Sequence, residues 1–289
     1  DHRVPLTRVD AEQAEQQARD ECAEQRARTH APAHEQGEGG AGERQLGGAV
    51  HAEGHLPRDD ERAHHPGQHA AQRRGFDARD AIYLVTPDRF ANGDPSNDSV
   101  AGMKEAANRA DPNGRHGGDI AGIRQHIDYI AGMGFTQLWP TPFLENDQPE
   151  YGYHGYAITD LDKTDPRMGR NEDVRALSRE AKAKGVGLVM DIVLNHIGSQ
   201  HWWMRDLPAK DWINNGAKFA PTNHRRTTIQ DPHAAPADRA AFTDGWFVDA
   251  MPDLNQRNPQ LARYLIQNTL WWIEYAGLSG IREELRIGI

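Results

Sequence analysis

The chain has 289 residues and a formal net charge of -10, with 43 acidic against 33 basic residues. This charge gives no reason to expect nucleic acid or an anionic membrane surface as a partner. No apolar run reaches the roughly 20 residues that span a bilayer, which argues against a membrane-spanning segment. The single cysteine, Cys22, excludes an internal disulfide framework. A neutral partner is therefore the natural expectation.

Composition divides the chain at about residue 75. Residues 1–75 contain no Phe, Tyr, Trp, Ile, Met, Lys, Ser or Asn, whereas all the aromatic residues lie in 76–289. A segment of this kind lacks the side chains of a hydrophobic core, so we interpret 1–75 as a disordered low-complexity region. Disordered tails are usually rich in Ser and Lys, and the lack of both equally suggests GC-rich DNA translated out of frame.

Strands and helices are predicted in alternation within 76–289. Short apolar runs rich in β-branched residues predict the strands, and apolar positions three or four residues apart predict the helices. Asn171 is placed to cap one helix and Gly185 to end it. In chain order, we predict a strand at 81–85, a helix at 120–133, a strand at 135–139, a helix at 171–184, a strand at 186–194, an excursion at about 197–256, a helix at 259–275 and a strand near Leu278.

The strand at 186–194 is apolar along almost its whole length, which is typical of a parallel strand covered on both faces. Alternating strands and helices with short turns predict a parallel sheet, either in a (β/α)8 barrel or in an open doubly wound fold. Both folds bind ligands at the carboxyl ends of their strands. That is the end of the sheet where we expect a functional site.

Polar residues suited to chemistry occur at this end. Asp191, Asn195 and His196 lie on or directly after the apolar strand, although they are equally suited to being strand-end groups paired with backbone. His154 and Tyr156 follow the preceding strand, where an aromatic ring and a directional donor suit a sugar, and packing is the alternative use of the tyrosine.

Two further groups complete the candidates. Arg282, on the last strand, is placed to orient a carboxylate and keep it ionised. The segments 92–98 and 117–119 contain side-chain oxygens in Gly- and Pro-rich loops, which favours either a Ca²⁺ site or a solvated turn.

The motifs VTPDRFANGDPSND, GGD, LWPTPF, GYHGYAITD, DPRMGRNEDV, DIVLNH, MPDLN and GIR occur in this order within about residues 80–282. Together they resemble the alpha-amylase family of glycoside hydrolases, particularly its neopullulanase and cyclomaltodextrinase branch. The resemblance implies an α/β fold, with about the first four βα units of a (β/α)8 barrel and a small excursion domain after the third strand. It also implies α-linked glucan substrates such as starch, pullulan or cyclodextrin.

The resemblance assigns roles to individual residues. Asp191 and Arg282 would form the electrostatic shell of the catalytic centre. The substrate-binding residues would be His154, Tyr156, Asn195 and His196, with Tyr156 as the stacking platform. The residues at the positions that bind a structural Ca²⁺ in this branch are Asn92, Asp94, Asn97, Asp98, Gly117 through its carbonyl, and Asp119.

The pattern departs from the family at the nucleophile. Retaining glycosidases need a nucleophilic carboxylate and an acid roughly 5 Å apart, and in the family the nucleophilic Asp stands two residues after the Arg. Glu284 occupies that position here. Its extra methylene would displace the carboxylate by about 1 Å, which reduces the rate on the order of a hundredfold.

The chain ends at Ile289, before the strands that would carry the acid/base Glu and a further Asp. We expect either reading-frame errors on both sides of the central segment or a natural truncation, and little hydrolysis by this chain. A noncatalytic glucan-binding or interaction protein is the alternative function. No leader sequence is visible, and a periplasmic or secreted location is preferred to a cytoplasmic one.

Overall fold

The structure is a computed structural model that describes residue 75 and residues 77–216, 218–225 and 227–284. These residues belong to one compact unit, Ala63–Ile289. The predicted disorder of 1–75 falls outside the described residues except at Gly75, and the domain boundaries stay predictions.

Six strands and seven helices are described, besides three short 3-10 turns at Pro95–Asn97, Gly152–His154 and Trp202–Met204. The strands are β1 (Ile82–Val85), β2 (Gln137–Pro140), β3 (Leu144–Glu145), β4 (Asp160–Thr164), β5 (Gly187–Val193) and β6 (Gly280–Glu284). The helices are α1 (Pro87–Phe90), α2 (Ile120–Gln125), α3 (Ile127–Gly132), α4 (Asn171–Ala183), α5 (Thr227–Gln230), α6 (Pro236–Thr243) and α7 (Pro259–Ala276).

The main sheet has four parallel strands in the order β1-β2-β5-β6, and β3 pairs with β4 in a separate antiparallel ribbon. The four parallel strands follow the chain order, each joined to the next by a segment that contains a helix. An open doubly wound sheet reverses its strand order at a switch point, and these four strands do not reverse. The sheet is therefore a partial (β/α)8 barrel, as predicted.

Burial in β5 explains its composition. Every residue from Leu188 to Val193 is buried, so both faces of the strand are covered as its continuous apolar pattern predicts. On one face α4 packs through Val174, Leu177 and Ala181. The strand thus carries Asp191 inside a rigid apolar frame.

Helix α7 buries Leu261, Leu265 and Trp272 and leaves Ile266 and Leu270 exposed. It is the longest helix of the described residues, at 18 residues. Within the part of the chain that the structure describes, no helix combines the length and the apolar composition needed to cross a membrane.

Two predicted local features are wrong. The helix at 120–133 is divided at His126, whose backbone leaves the helical region and whose Nδ1 lies 2.8 Å from the Gly122 carbonyl. Asn171 does not cap α4, because its side-chain oxygen accepts from the amide and hydroxyl of Thr164. Arg170 is the N-cap residue instead, and its amide donates to Asp173 at 2.9 Å.

The excursion between β5 and α7 contains the turn at Trp202–Met204 and helices α5 and α6. Its buried Trp203, Trp212 and Trp246 belong to the same core cluster as the residues of β5. Because these large side chains are shared with the barrel core, the excursion is held closely against the strand end that carries His196.

Candidate functional site

Asp191 is the centre of the site. It pairs in register with Arg282 on the neighbouring strand β6, and the Arg282 guanidinium donates to its Oδ1 at 3.0 Å. The other carboxylate oxygen accepts from the indole of Trp139 and the hydroxyl of Tyr156, each at 2.9 Å. The structure therefore brings together Asp191, Arg282 and Tyr156, and it adds Trp139, which lies in the LWPTPF motif but was given no role from the sequence.

Burial and hydrogen bonding act on the pKa of Asp191 in opposite directions. Burial raises the pKa of its carboxyl above the ordinary value, and the hydrogen bonds from Trp139, Tyr156 and Arg282 oppose this shift without cancelling it. The Arg282 side chain is one-third exposed, and its guanidinium carbon lies 5.2 Å from the centre of the Trp139 ring. The pair thus has a buried anionic half and an accessible cationic half.

His154 lies at the end of the turn Gly152–His154. Its Nδ1 accepts from the Tyr156 amide at 3.0 Å, which assigns the proton of the neutral ring to Nε2. Burial lowers the pKa of His154, so the neutral form is favoured. The rings of His154 and Tyr156 are 5.8 Å apart and inclined by 35°. A directional donor and an aromatic face are thereby placed side by side.

Gly155 makes this arrangement possible. Its backbone has a φ of 84°, in the left-handed region, and a Cβ at this position would lie 1.9 Å from the Pro142 carbonyl oxygen. Only glycine tolerates both conditions. The chain therefore turns sharply between His154 and Tyr156.

Asn195 and His196 connect the barrel to the excursion. His196 Nε2 lies 3.0 Å from the Tyr156 carbonyl, and the Asn195 amide lies 3.2 Å from His196 Nδ1 and 3.3 Å from Asp253. These contacts assign Nδ1 as acceptor and Nε2 as donor. The prediction that such groups pair with backbone describes His196 in part: its Nε2 contacts the Tyr156 carbonyl, whereas its Nδ1 contacts the Asn195 side chain.

Two residues that lie next to His196, Asp253 and Phe247, were not predicted individually from the sequence as site residues. Asp253, in the MPDLN motif, is buried and accepts from Asn195 and Asn214. Phe247 lies nearly parallel to His196, with ring centres 6.5 Å apart. The motif gave a signal for Asp253, but no pattern in the sequence distinguishes Phe247 from the other aromatic residues of the excursion.

The six residues predicted to bind calcium lie around one loop. Asp119 accepts from the amides of Gly93, Asp94 and Gly122, so much of its carboxylate is used to fold the loop and to cap α2. Asn92 donates to Asp98, and a Cβ on Gly117 would lie 2.5 Å from that Asp98 carboxylate. The loop is therefore tightly closed around oxygen atoms.

This loop also contains unpaired acceptors. The side-chain oxygens of Asn92 and Asn97 are buried and have no hydrogen-bond partner. Buried acceptors are normally paired, and amide oxygens are ligands that Ca²⁺ accepts. The donor set fits a hard cation, although no cluster of three or more His, Cys, Asp or Glu suited to a metal occurs among the described residues.

Glu284 is the last described residue of β6, and its backbone pairs with Val193 in the parallel register. The strand thus continues for two residues beyond Arg282. The Glu284 side chain lies outside the part that the structure describes, so its distance from the other site residues stays unassigned.

The architecture and motifs match a known family. The model of the alpha-amylase catalytic domain matches residues 84–285, more than half of the chain. The chain belongs to the alpha-amylase family. This confirms the resemblance and the fold class, since the catalytic domain of this family of glycosidases is a (β/α)8 barrel.

Relatives of the family cover the same segment. Neopullulanase 2 of Thermoactinomyces vulgaris is 32% identical over 216 residues, which are 70% of this chain and 33% of that protein. A cyclomaltodextrinase of Geobacillus thermopakistaniensis (strain MAS1) is 30% identical over 203 residues, which are 69% of this chain and 32% of that protein. The chain spans about a third of the length of these two relatives.

A solved structure leads to the same fold. The alpha-amylase of Geobacillus thermoleovorans, in complex with acarbose, superposes with a TM-score of 0.57 at 35% identity. The superposition covers 71% of this chain and 40% of that one. The described barrel segment is therefore similar to less than half of a complete enzyme of the family.

Proposed function

We propose that this chain is the amino-terminal part of the catalytic barrel of a retaining α-glucan hydrolase, of the neopullulanase or cyclomaltodextrinase kind. The observation that carries the proposal is the convergence of Arg282, Trp139 and Tyr156 on the Asp191 carboxylate at the carboxyl ends of the parallel strands. Neutral donors and an aromatic ring suit an uncharged sugar, and a cation that keeps nearby carboxylates ionised suits a reaction whose transition state develops positive charge on that sugar.

The proposed roles follow from the geometry. Tyr156 supplies a stacking face for the glucose ring, and His154 Nε2 donates a hydrogen bond to a sugar hydroxyl. Asp191 holds Tyr156 and Arg282 in place through 2.9 and 3.0 Å contacts, and Arg282 favours the ionised form of a nearby carboxylate. Starch, pullulan and cyclodextrin are the candidate substrates.

Glu284 is the proposed nucleophile. In the retaining reaction its carboxylate attacks the anomeric carbon while a protonated acid gives its proton to the leaving oxygen, and water then hydrolyses the glycosyl ester. None of the described residues is assigned as that acid. A noncatalytic glucan-binding protein is the second candidate function, favoured by the Glu at the nucleophile position.

Calorimetric titration with maltoheptaose, followed by product analysis, tests the function. We expect binding that Tyr156→Ala weakens at least tenfold, because that variant removes the stacking ring. Hydrolysis that Glu284→Gln abolishes and Glu284→Asp increases supports the hydrolase. Binding without turnover by the unmodified chain, Glu284→Gln and Glu284→Asp supports the noncatalytic protein. If the unmodified chain does not bind maltoheptaose, both candidate functions are contradicted.

We further propose that Asn92, Asp94, Asn97, Asp98, Gly117 and Asp119 bind a structural Ca²⁺. The unpaired oxygens of Asn92 and Asn97 support this, because a cation would satisfy them. The ion would hold the loop closed against α2. The periplasmic or secreted location remains a prediction.

Thermal unfolding in CaCl2 and in EGTA tests the metal site. At 100 times the dissociation constant, Ca²⁺ stabilises by about 2.7 kcal/mol, so we expect a rise in melting temperature that Asn92→Ala removes. Ser178→Ala, which removes a hydrogen bond to the Gly277 carbonyl and none within the loop, is the control and should keep the rise. An equal rise in the Asn92 variant would exclude this site.

A further inference from the structure

The turn that contains His154 forms a hydrogen bond with Glu105, a residue outside the family motifs. Glu105 is buried, and its Oε2 accepts from the Gly152 amide at 2.7 Å. The two residues are 47 positions apart, so this contact joins the segment between the stretches 92–98 and 117–119 to the turn Gly152–His154. No other side chain is recorded as accepting from this amide in the described part of the chain.

The contact leaves no space for another side chain. A Cβ on Gly152 would lie 2.5 Å from Glu105 Oε2. Tyr151, directly before it, has a φ of 59° and a ψ of 18°, a left-handed conformation that costs a non-glycine residue roughly 1–2 kcal/mol. Such a conformation persists only where surrounding contacts fix it, and the hydrogen bond from Gly152 to Glu105 is one such contact.

Glu105 is itself rigidly placed. The Arg167 guanidinium, which has no exposed side-chain surface, donates to the Glu105 carbonyl at 2.9 Å and to the Asn146 carbonyl at 2.7 Å. Next to Glu105, the Lys104 amide donates to Asp147 at 2.8 Å. The backbone on both sides of Glu105 is thus fixed to the loop that leads into the turn.

His154 depends on this turn more than Tyr156 does. The hydroxyl of Tyr156 is bonded to Asp191, and its carbonyl lies within hydrogen-bond distance of His196. The hydrogen bond recorded for the His154 ring is the one from the Tyr156 amide, within the same turn. Release of the turn would therefore displace His154 first.

We propose that Glu105 is a positioning residue for the glucan site, which acts by fixing the Gly152–His154 turn so that His154 Nε2 faces the sugar. The inference rests on the proposed function, since it concerns the same substrate. Glu105 does not contact the sugar in this proposal. Its effect reaches the sugar through His154 alone.

A double-mutant cycle tests this with the full chain and maltoheptaose. Glu105→Ala removes the acceptor and should weaken binding about tenfold, whereas Glu105→Gln keeps a side-chain acceptor and should bind within about twofold of the unmodified chain. In a His154→Ala background, Glu105→Ala should produce no further loss. Ser178→Ala, which removes one part-buried hydrogen bond, to the Gly277 carbonyl after α7, is the matched control and should bind normally.

Hydrogen exchange of the 151–157 segment keeps the test decisive. Glu105→Ala should increase exchange there, and Glu105→Gln and Ser178→Ala should not. A tenfold loss that persists in the His154→Ala background would overturn the proposal, as would unchanged binding by Glu105→Ala. If the unmodified chain does not bind maltoheptaose, the proposed function fails and the glucan role of Glu105 fails with it. Increased exchange in Glu105→Ala would then still show that Glu105 fixes the turn, whereas unchanged exchange would exclude that as well.

Discussion

Two aspartates of this molecule pair with arginine in opposite ways. Asp165 and Arg167 are both completely buried; two guanidinium nitrogens bind the carboxylate, and the amides of Arg167 and Asn146 complete it. Asp191 is equally buried, but Arg282 gives it only one hydrogen bond and remains one-third exposed. The first pair is closed and the second is open on one side.

The pKa values express this difference. Burial alone would raise the pKa of Asp165, but the hydrogen bonds and charge of Arg167 hold it below the ordinary value. At Asp191 burial prevails and the pKa is raised. The Asp165 carboxylate is saturated by donors of its own chain, whereas the arginine of the second pair is one-third exposed. Two equally buried aspartates thus differ in the direction of their pKa shift because their donors differ.

Asp165→Asn should have the largest effect. Removing one partner of a fully buried ion pair leaves the other charge uncompensated, so we expect a loss of about 4 kcal/mol in the free energy of unfolding by urea denaturation. Asp128→Asn is the control: its ion pair with Lys184 is exposed on both sides, and the expected change is below about 1 kcal/mol. Equal losses would show that Arg167 is not dependent on Asp165.

Asp191→Asn should cost much less stability than Asp165→Asn, because burial already penalises the ionised Asp191 carboxyl and water compensates part of the Arg282 charge. Its effect on maltoheptaose binding should instead exceed that of Asp165→Asn, since Asp191 holds Tyr156. Calorimetry and urea denaturation on both variants check the two rankings. If Asp165→Asn and Asp191→Asn lose the same stability and the same maltoheptaose affinity, the comparison of the two pairs is contradicted.

The contributions of Asp165 and Asp191 to the free energy of unfolding should change with pH in opposite directions. Asp165 has a lowered folded pKa, so its stabilisation is complete above the unfolded value of about 3.9 and is lost as the pH falls below it. Asp191 has a raised folded pKa, so the folded state is penalised as the pH rises above about 3.9. Unfolding free energies from pH 3 to 7, each referred to its Asn variant, should therefore slope upward for Asp165 and downward for Asp191.

Tyr156→Phe should have the smallest effect. It removes one of three donors to Asp191 and keeps the ring, so we expect about 1 kcal/mol less stability. Maltoheptaose affinity should fall far less than in Tyr156→Ala. If both variants lose the same affinity, the hydroxyl rather than the ring face binds the sugar.

Strands β1, β2 and β5 were predictable because they are mainly apolar runs bounded by turns. The β3–β4 ribbon was not predicted, since β4 reads DLDKT and buries only Leu161 and Thr164. The convergence on Asp191 followed from the strand ends and the motifs. The contacts of Glu105 and Trp139 could not be predicted, because they join residues 47 and 52 positions apart that lie in no common periodic pattern.

The backbone at Gly155 has a practical consequence for altering substrate preference. Replacement there would push a methyl group into the Pro142 carbonyl, so a library randomised across 151–156 should return glycine at that codon in every functional clone. Tyr151, by contrast, is exposed, and the residues that tolerate its left-handed backbone, such as Gly and Asn, should be accepted there. Directed evolution of this loop can therefore vary fewer positions than its length suggests.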